Sequence, residues 1–297
     1  MDKFKIIGTG LTGLLGSRII ELLNREFNFI DISLGGNKNI LDVLTLEKTF
    51  KENNDSLIVL HTAAFVDADK AWMERGNKNG LCYLTNVEGT RNIVRLCKKY
   101  DKYLIFTSTN YVFNGKKEGL YTEKDYPDPV DWYGKTKFLA ETIILKEKIP
   151  ASILRLSFLF RSKYSKKIDL VRKIINGLKN RDLNPMFSDQ VITPSFVDDV
   201  VFGIKYFIKN KPTGIYNLCP SDYYSPYDLA LLVAETFGYD KNLVRKTTID
   251  KYLKFKQNSR PWPKNLAFDN QKITKLGIKM RNIKDSLTEM KKQLNYI

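Results

Sequence analysis

Apolar residues in the first two thirds of the chain fall into short, nearly unbroken runs. They are "FKII" (4–7), "FNFIDI" (27–32), "SLIVLHT" (56–62), "KYLIFTS" (102–108), "SILRLSF" (152–158) and "GIYNLC" (214–219). Runs of this length without strict alternation read as strands covered on both faces. Between the earlier runs, apolar positions recur every three or four residues, as at Ile93, Leu96, Cys97 and Tyr100. That spacing predicts helices around 14–25, 85–100 and 133–147. Strand–helix alternation of this kind predicts right-handed βαβ units and an α/β fold with a doubly wound, mostly parallel sheet. After about residue 160 the pattern turns helical, over 168–180, 196–209, 226–237 and 283–294, with proline-containing irregular stretches at 183–195 and 259–268. We expect a main domain over 1–160, with 196–219 returning to it, and a smaller C-terminal lobe over 161–297.

Composition narrows the chemistry. The 297 residues, 43% hydrophobic, suffice for a sizeable core. No apolar run approaches membrane-spanning length, and the stretch at the N-terminus is too short for a signal-peptide core, so a cytoplasmic protein without membrane association is expected. Cys82, Cys97 and Cys219 lie far apart, which argues against a disulfide framework or a cysteine-rich zinc site. A single histidine, His61, ends an apolar run and reads as a packed strand-end residue; it also excludes a histidine-rich metal centre, and no metal ligands are expected. The net charge of +16 is spread along the chain apart from runs such as "RSKYSKK" (161–167). Without an aromatic–basic recognition motif this reads as a solvated surface able to steer anionic ligands rather than as a nucleic-acid site.

Glycine punctuation supplies the first functional signal. In "IIGTGLTGLLGSRII", Gly8, Gly10, Gly13 and Gly16 follow the first strand and enter the first helix, giving two overlapping G-x-G-x-x-G registers. In that context the glycines let backbone approach a pyrophosphate and let helix approach sheet, while the helix N-terminus offers N–H donors to the anion. Asp31 lies 21 residues after Gly10 (31−10), at the end of the second strand, where a carboxylate would meet the adenosine ribose. Its charge favours NAD, and nearby Lys38 keeps NADP open. The first domain is therefore expected to bind a dinucleotide.

"DWYGKTKFLAE" (131–141) sets Tyr133 and Lys137 on one helical face, four residues apart. An ammonium near a phenol stabilises phenolate, and the phenol can then protonate a developing alkoxide. A second Tyr-x-x-x-Lys, Tyr252 and Lys256, follows no strand and reads as structural. The end of the fourth strand offers Ser108 and Thr109 to orient a carbonyl.

Taken in order, these segments resemble the extended short-chain dehydrogenase/reductases, specifically the dTDP-4-dehydrorhamnose reductase family, over nearly the whole chain. "TGLTGLLG" (9–16) is similar to TGxxGxxG, "LDVLTLEKTF" (41–50) to the segment with the adenine-side acid, and "HTAAFVDADKA" (61–71) to the alanine-rich strand end. "LTNVEGTRNI" (84–93) carries the helix asparagine, Asn86. "STNYVFNG" (108–115) resembles STDYVFxG, and "YGKTKFLAE" (133–141) resembles YGxSKxxGE. "LRLSFLF" (154–160), "SDQVITPSFVDDV" (188–200) and "RPWPKNLAFDNQKITKLGI" (260–278) resemble later segments.

The resemblance implies a Rossmann domain and NADH- or NADPH-dependent reduction of a nucleotide-linked keto sugar, as in dTDP-rhamnose biosynthesis. It implies Thr109, Tyr133 and Lys137 as the catalytic set, Thr109 ahead of Ser108 because 24 residues (133−109) separate it from Tyr133. Cofactor contacts fall on Gly10, Thr12, Gly13, Leu14, Leu15, Asp31, Asp42, Val43, Ala63, Ala64, Tyr133 and Lys137. Substrate contacts fall on Thr109, Tyr133, Phe158 and Arg260, the last toward the diphosphate. Asn86 would support the helix or a proton-relay water. A homodimer is the family-level expectation. Departures lie mostly on the substrate side: Asn110 for Asp, Phe158 for Trp, Ile192 and Ser195 for Gly and Thr, and Trp72 for an acidic residue. Asn110-Tyr111 cannot replace the Asp-Glu pair of the related dehydratases, so elimination is not expected. The rival within the resemblance is a non-catalytic, dinucleotide-binding regulatory subunit like that of methionine adenosyltransferase.

Overall fold

The computed structural model describes residues 3–294 except Asn37, Ser165 and Gln257. Strands β1 (Phe4–Thr9), β2 (Phe27–Ile32), β3 (Ile58–His61), β4 (Tyr103–Thr109), β5 (Ala151–Leu156) and β6 (Gly214–Asn217) form one parallel sheet in the order β6-β5-β4-β3-β1-β2. Each corresponds to one of the apolar runs, shifted by a residue or two at some ends. The helices that matter here are α1 (Leu14–Leu23), α2 (Val43–Glu52), α3 (Gly89–Lys99), α4 (Trp132–Glu147), α5 (Leu170–Asn180), α6 (Val197–Asn210), α7 (Pro226–Phe237) and α8 (Ile283–Gln293).

The two-residue period of the strands sorts their side chains between two layers. Ile6, Ile58, Leu60 and Ile105 face Ile19 and Leu23 of α1 and Val197, Val200 and Ile204 of α6. Ile7, Val59, Leu104 and Phe106 face Leu46 and Phe50 of α2, Ile93 of α3 and Ile144 of α4. Burying each such side chain contributes about 2 kcal/mol, and both faces of the sheet are used, so the fold is an α/β doubly wound sheet.

A third cluster joins Val171, Ile174 and Leu178 of α5 to Leu229 and Val233 of α7 and Leu287 and Met290 of α8. The stretches expected to be irregular contain two-residue parallel pairings instead: Met186–Phe187 with Lys246–Thr247, and Val191–Ile192 with Asn265–Leu266. Helix α2 was not anticipated. No helix among the described residues is long and apolar enough to cross a membrane.

Candidate active site at the carboxyl edge of the sheet

Strand order reverses between β1 and β3, and ligands of open α/β sheets bind beyond the strand ends at such a reversal. Gly10 sits there with φ +67°, and a Cβ on it would lie 2.5 Å from the backbone nitrogen of Ala63, just past β3. A left-handed backbone pressed against another strand end leaves room for glycine alone. Gly16 is equally constrained, since a side chain there would strike Leu11 and the Gly10 carbonyl, and α1 could not begin so close to the turn.

Gly13 caps α1 without any side-chain partner, so the first N–H groups of the helix are left for an anion. Thr12 lies beside an open groove of about 600 Å³ lined also by Leu11, Arg161 and Tyr164. Arg161 donates to the Leu14 carbonyl (3.0 Å) and Ser17 Oγ (2.9 Å), and Tyr164 donates to the Thr12 carbonyl (2.9 Å). These two residues brace the glycine turn from the sequence-distant basic run. Leu14 is partly buried and Leu15 buried in the α1 layer.

Asp31 lies at the end of β2. Its Oδ2 accepts from Ser33 Oγ at 2.7 Å, while Oδ1 is buried without a partner. An orphaned carboxylate oxygen beside a glycine turn fits a pair of ribose hydroxyls. Asp42 instead uses its carboxylate to cap α2, accepting from Thr45 N (3.1 Å) and Thr45 Oγ1 (2.5 Å), with Val43 as the first helical residue. The Ala63 N–H donates to Thr9 Oγ1 at 3.2 Å, and Ala64 is the next residue of that partly buried edge.

Helix α4 begins at Trp132 because Asp131 caps it, accepting the Gly134 N–H at 2.7 Å. That cap sets Tyr133 in the first turn, close enough to the Thr109 side chain for the hydroxyl to act on its phenol. One turn on, Lys137 is 1% exposed; its Nζ donates to the Thr107 carbonyl (2.7 Å) and lies 4.1 Å from the centre of the Phe106 ring. Thr107 and Thr109 belong to the same strand, so β4 meets the tyrosine and the lysine together.

Burial pushes the Lys137 ammonium down to about 7, against a smaller upward pull from Glu141. Burial also raises the Tyr133 phenol above its ordinary range, outweighing the Thr109 hydroxyl, and the Asp131 charge pushes in the same direction. This corrects the expectation of a lowered phenol: removing the ring from water costs the phenolate more than its neighbours return. A protonated phenol is the form a proton donor needs.

Ser108 is not free for a ligand, since it donates to Glu141 Oε1 at 2.5 Å. Glu141 also takes Arg155 Nε (3.1 Å) and Nη2 (2.7 Å), both residues being 1% exposed. His61 is fully buried between Thr9 Oγ1 (2.6 Å) and Thr90 Oγ1 (3.0 Å), and burial lowers its pKa to about 3. It is a neutral packed residue. Asn86, in a π-helical turn over Leu84–Glu88, bonds the Phe65 N–H (2.8 Å), the Phe65 carbonyl (3.1 Å) and Thr136 Oγ1 (2.9 Å). It therefore ties a loop to α4.

Among the residues expected to meet a substrate, Phe158 is held at φ +39°, a strained position for an aromatic residue, with its ring 5.9 Å from Tyr111. Asn110 donates to Ser157 Oγ (2.9 Å) and the Leu266 carbonyl (3.1 Å), the second a bond an ionised aspartate could not make. Arg260 donates to Asp69 (3.1 Å), Asp131 (3.2 Å) and the Tyr111 hydroxyl (3.3 Å), so its guanidinium is largely committed to protein acceptors. Tyr252, from the second Tyr-x-x-x-Lys, packs on Phe187 and Trp262. A groove of about 630 Å³, lined by Val130, Trp262, Lys116, Lys117 and Lys264, opens beside this edge. Sequence reasoning missed Asp131, Tyr111 and Glu141. The D-x-x-G cap spacing and the four residues from Lys137 to Glu141 were the available signals.

The model of the RmlD substrate binding domain family matches residues 4–296. The chain belongs to this family. Among its relatives, a dTDP-4-dehydrorhamnose reductase of Aggregatibacter actinomycetemcomitans is 27% identical over 77% of this chain and 78% of its own length. Methionine adenosyltransferase 2 subunit beta of Mus musculus is 25% identical over 95% of this chain and 87% of its own. The crystal structure of dTDP-4-dehydrorhamnose reductase from Bacillus anthracis, in complex with NADP, superposes with a TM-score of 0.87 at 23% identity, covering 99% of both chains. The family match and this superposition each span nearly the whole chain.

Proposed function

We propose that this RmlD-family chain reduces the C4 keto group of a nucleotide-linked 6-deoxy sugar, a dTDP-4-keto-6-deoxyhexose, with NADH or NADPH. The meeting of a protonated phenol, a hydroxyl and a buried ammonium at the strand ends carries this reading. The uncapped helix behind Gly10, Thr12 and Gly13 would hold the pyrophosphate, and Asp31 the adenosine ribose, which favours NADH over NADPH. Asp42, Val43, Ala63 and Ala64 would line the adenine side and the strand-end edge. When bound, the reduced nicotinamide supplies the hydride.

The remaining work falls to side chains. Thr109 orients the carbonyl oxygen, and Tyr133 donates its proton as that oxygen becomes an alkoxide. The phenolate left behind is stabilised by Lys137, which also holds the nicotinamide ribose. Phe158 meets the sugar, and the lysines of the neighbouring groove suit its diphosphate.

The test mixes purified protein with dTDP-4-keto-6-deoxyglucose and each reduced nicotinamide and follows the loss of cofactor fluorescence. Tyr133→Phe is expected to bind cofactor normally and to lose turnover by a factor of roughly 100 or more. Retained turnover would remove Tyr133 from its role. The second reading, a non-catalytic dinucleotide-binding subunit, rests on the relatives named as methionine adenosyltransferase subunits. It predicts no cofactor oxidation by the wild type and co-purification with a partner enzyme.

A further inference from the structure

Arg260 reaches the site from a proline-flanked stretch near the end of the chain, yet it is 5% exposed. Its planar fork spans three segments: Nη1 donates to Asp131 Oδ2, Nη2 to the Tyr111 hydroxyl, and Nε to Asp69 Oδ1. The two aromatic rings of Trp262 and Tyr111 flank the guanidinium at 3.9 and 5.1 Å. Asp69 is solvent-facing, whereas the Asp131 carboxylate is fully buried. The inward arms are therefore the ones that water cannot replace.

Both inward acceptors adjoin Tyr133. Asp131 divides its oxygens: Oδ1 takes the Gly134 N–H and starts α4, and Oδ2 takes Arg260. Tyr111, two residues beyond Thr109, presses its ring against that of Tyr133, 5.9 Å between centroids at 65°. Its hydroxyl has Arg260 as its partner.

We infer that Arg260 is a positioning residue for the Tyr133 phenol, gripping at once the cap of the catalytic helix and the ring packed against the phenol. The assignment rests on the reductase reading for its kinetic consequence. It differs from a diphosphate contact, which would act on substrate affinity. Arginine suits this grip better than lysine, whose point charge lacks the planar fork that meets Asp131 and Tyr111 together. Through this grip the placement of the C-terminal segment is felt at the proton donor.

The experiment compares Arg260→Met, Arg260→Lys and Tyr111→Phe with wild type, using dTDP-4-keto-6-deoxyglucose and reduced nicotinamide, together with hydrogen exchange of the Gly134 amide. We expect kcat to fall about 10- to 100-fold in Arg260→Met with KM within about twofold, the scale of a misplaced catalytic group. Faster Gly134 exchange should accompany it, with partial recovery in Arg260→Lys. Tyr111→Phe, which deletes one hydroxyl and leaves the ring, should give a smaller kcat loss of the same kind and is the arm that survives if Arg260→Met does not fold. A raised KM with unchanged kcat would overturn the inference in favour of a diphosphate contact. Unchanged kinetics and exchange would overturn it outright. If the wild type oxidises no cofactor, the reductase reading fails; Gly134 exchange unaltered in Arg260→Met would then refute the grip, and accelerated exchange would uphold it.

Discussion

Lys137 is a cation without a carboxylate in hydrogen-bond contact: its ammonium is 1% exposed and bonds one backbone carbonyl. Burial lowers its pKa from 10.5 to about 7. At roughly 1.4 kcal/mol per pKa unit, the charged form is disfavoured by about 5 kcal/mol relative to the unfolded chain. The titratable groups acting with it are Glu141 on α4, Cys82, and neutral His61 on β3; only Glu141 brings a full negative charge. The sign of the pH effect follows from proton counting. Between pH 7 and 10.5 the unfolded lysine holds a proton that the folded one has released, so stability rises with pH across that window. Below pH 7 the full penalty applies. Worked from those two values, the wild type should gain about 3 kcal/mol between pH 7 and 9.5 from this one group. Lys137→Met removes the titration while keeping an apolar stem, so the gain should vanish in the variant. Urea unfolding of both proteins at the two pH values measures the difference. Parallel stability profiles would refute the claim that a buried ammonium titrates near neutrality.

Two further changes test the frame around the site. Gly10→Ala places a Cβ against the Ala63 backbone at φ +67° and should cost about 1–3 kcal/mol with a matching loss of nicotinamide affinity, read by cofactor fluorescence titration. Glu141→Ala strands Arg155, whose Nη1 already lacks a partner, and should destabilise by roughly 3–5 kcal/mol in denaturant unfolding. The double replacement Glu141→Leu with Arg155→Met should cost less than either single change.

The strands were legible because sheet burial on both faces leaves long apolar runs, and α3 because Ile93, Leu96 and Cys97 mark its buried face. Helix α2 was not, since only Leu46, Thr49 and Phe50 are buried in it and Leu44 points outward. The glycine turn, Asp31, Tyr133 and Lys137 were proposed from spacing along the chain, and Thr109 from the family resemblance. Arg260 could be found but not understood: its partner Asp131 is 129 residues away, and no linear pattern carries that pairing. The sense of the Tyr133 shift was likewise invisible, because it depends on how deeply the ring is buried. Phe158 shows the same limit, since nothing in the linear sequence marks its left-handed backbone.

The charge distribution explains why so basic a chain can still tune one proton. Most of the +16 lies on a solvated surface, where salt screens it within about 10 Å and it shifts only near partners, as Lys205 lowers Glu26. The site follows different rules. Arg155 is matched by Glu141 and Arg260 by Asp131, each pair buried, and His61 is neutral. Lys137 is the surplus cation of that buried set. In the ground state it is poorly compensated, which is why its proton is held so loosely. An alkoxide, and then the phenolate, would supply the missing negative charge only as the reaction proceeds. A group that is strained before the transition state and satisfied within it contributes to rate rather than to binding. Added salt should therefore weaken substrate capture while leaving the chemical step of the wild type nearly unchanged.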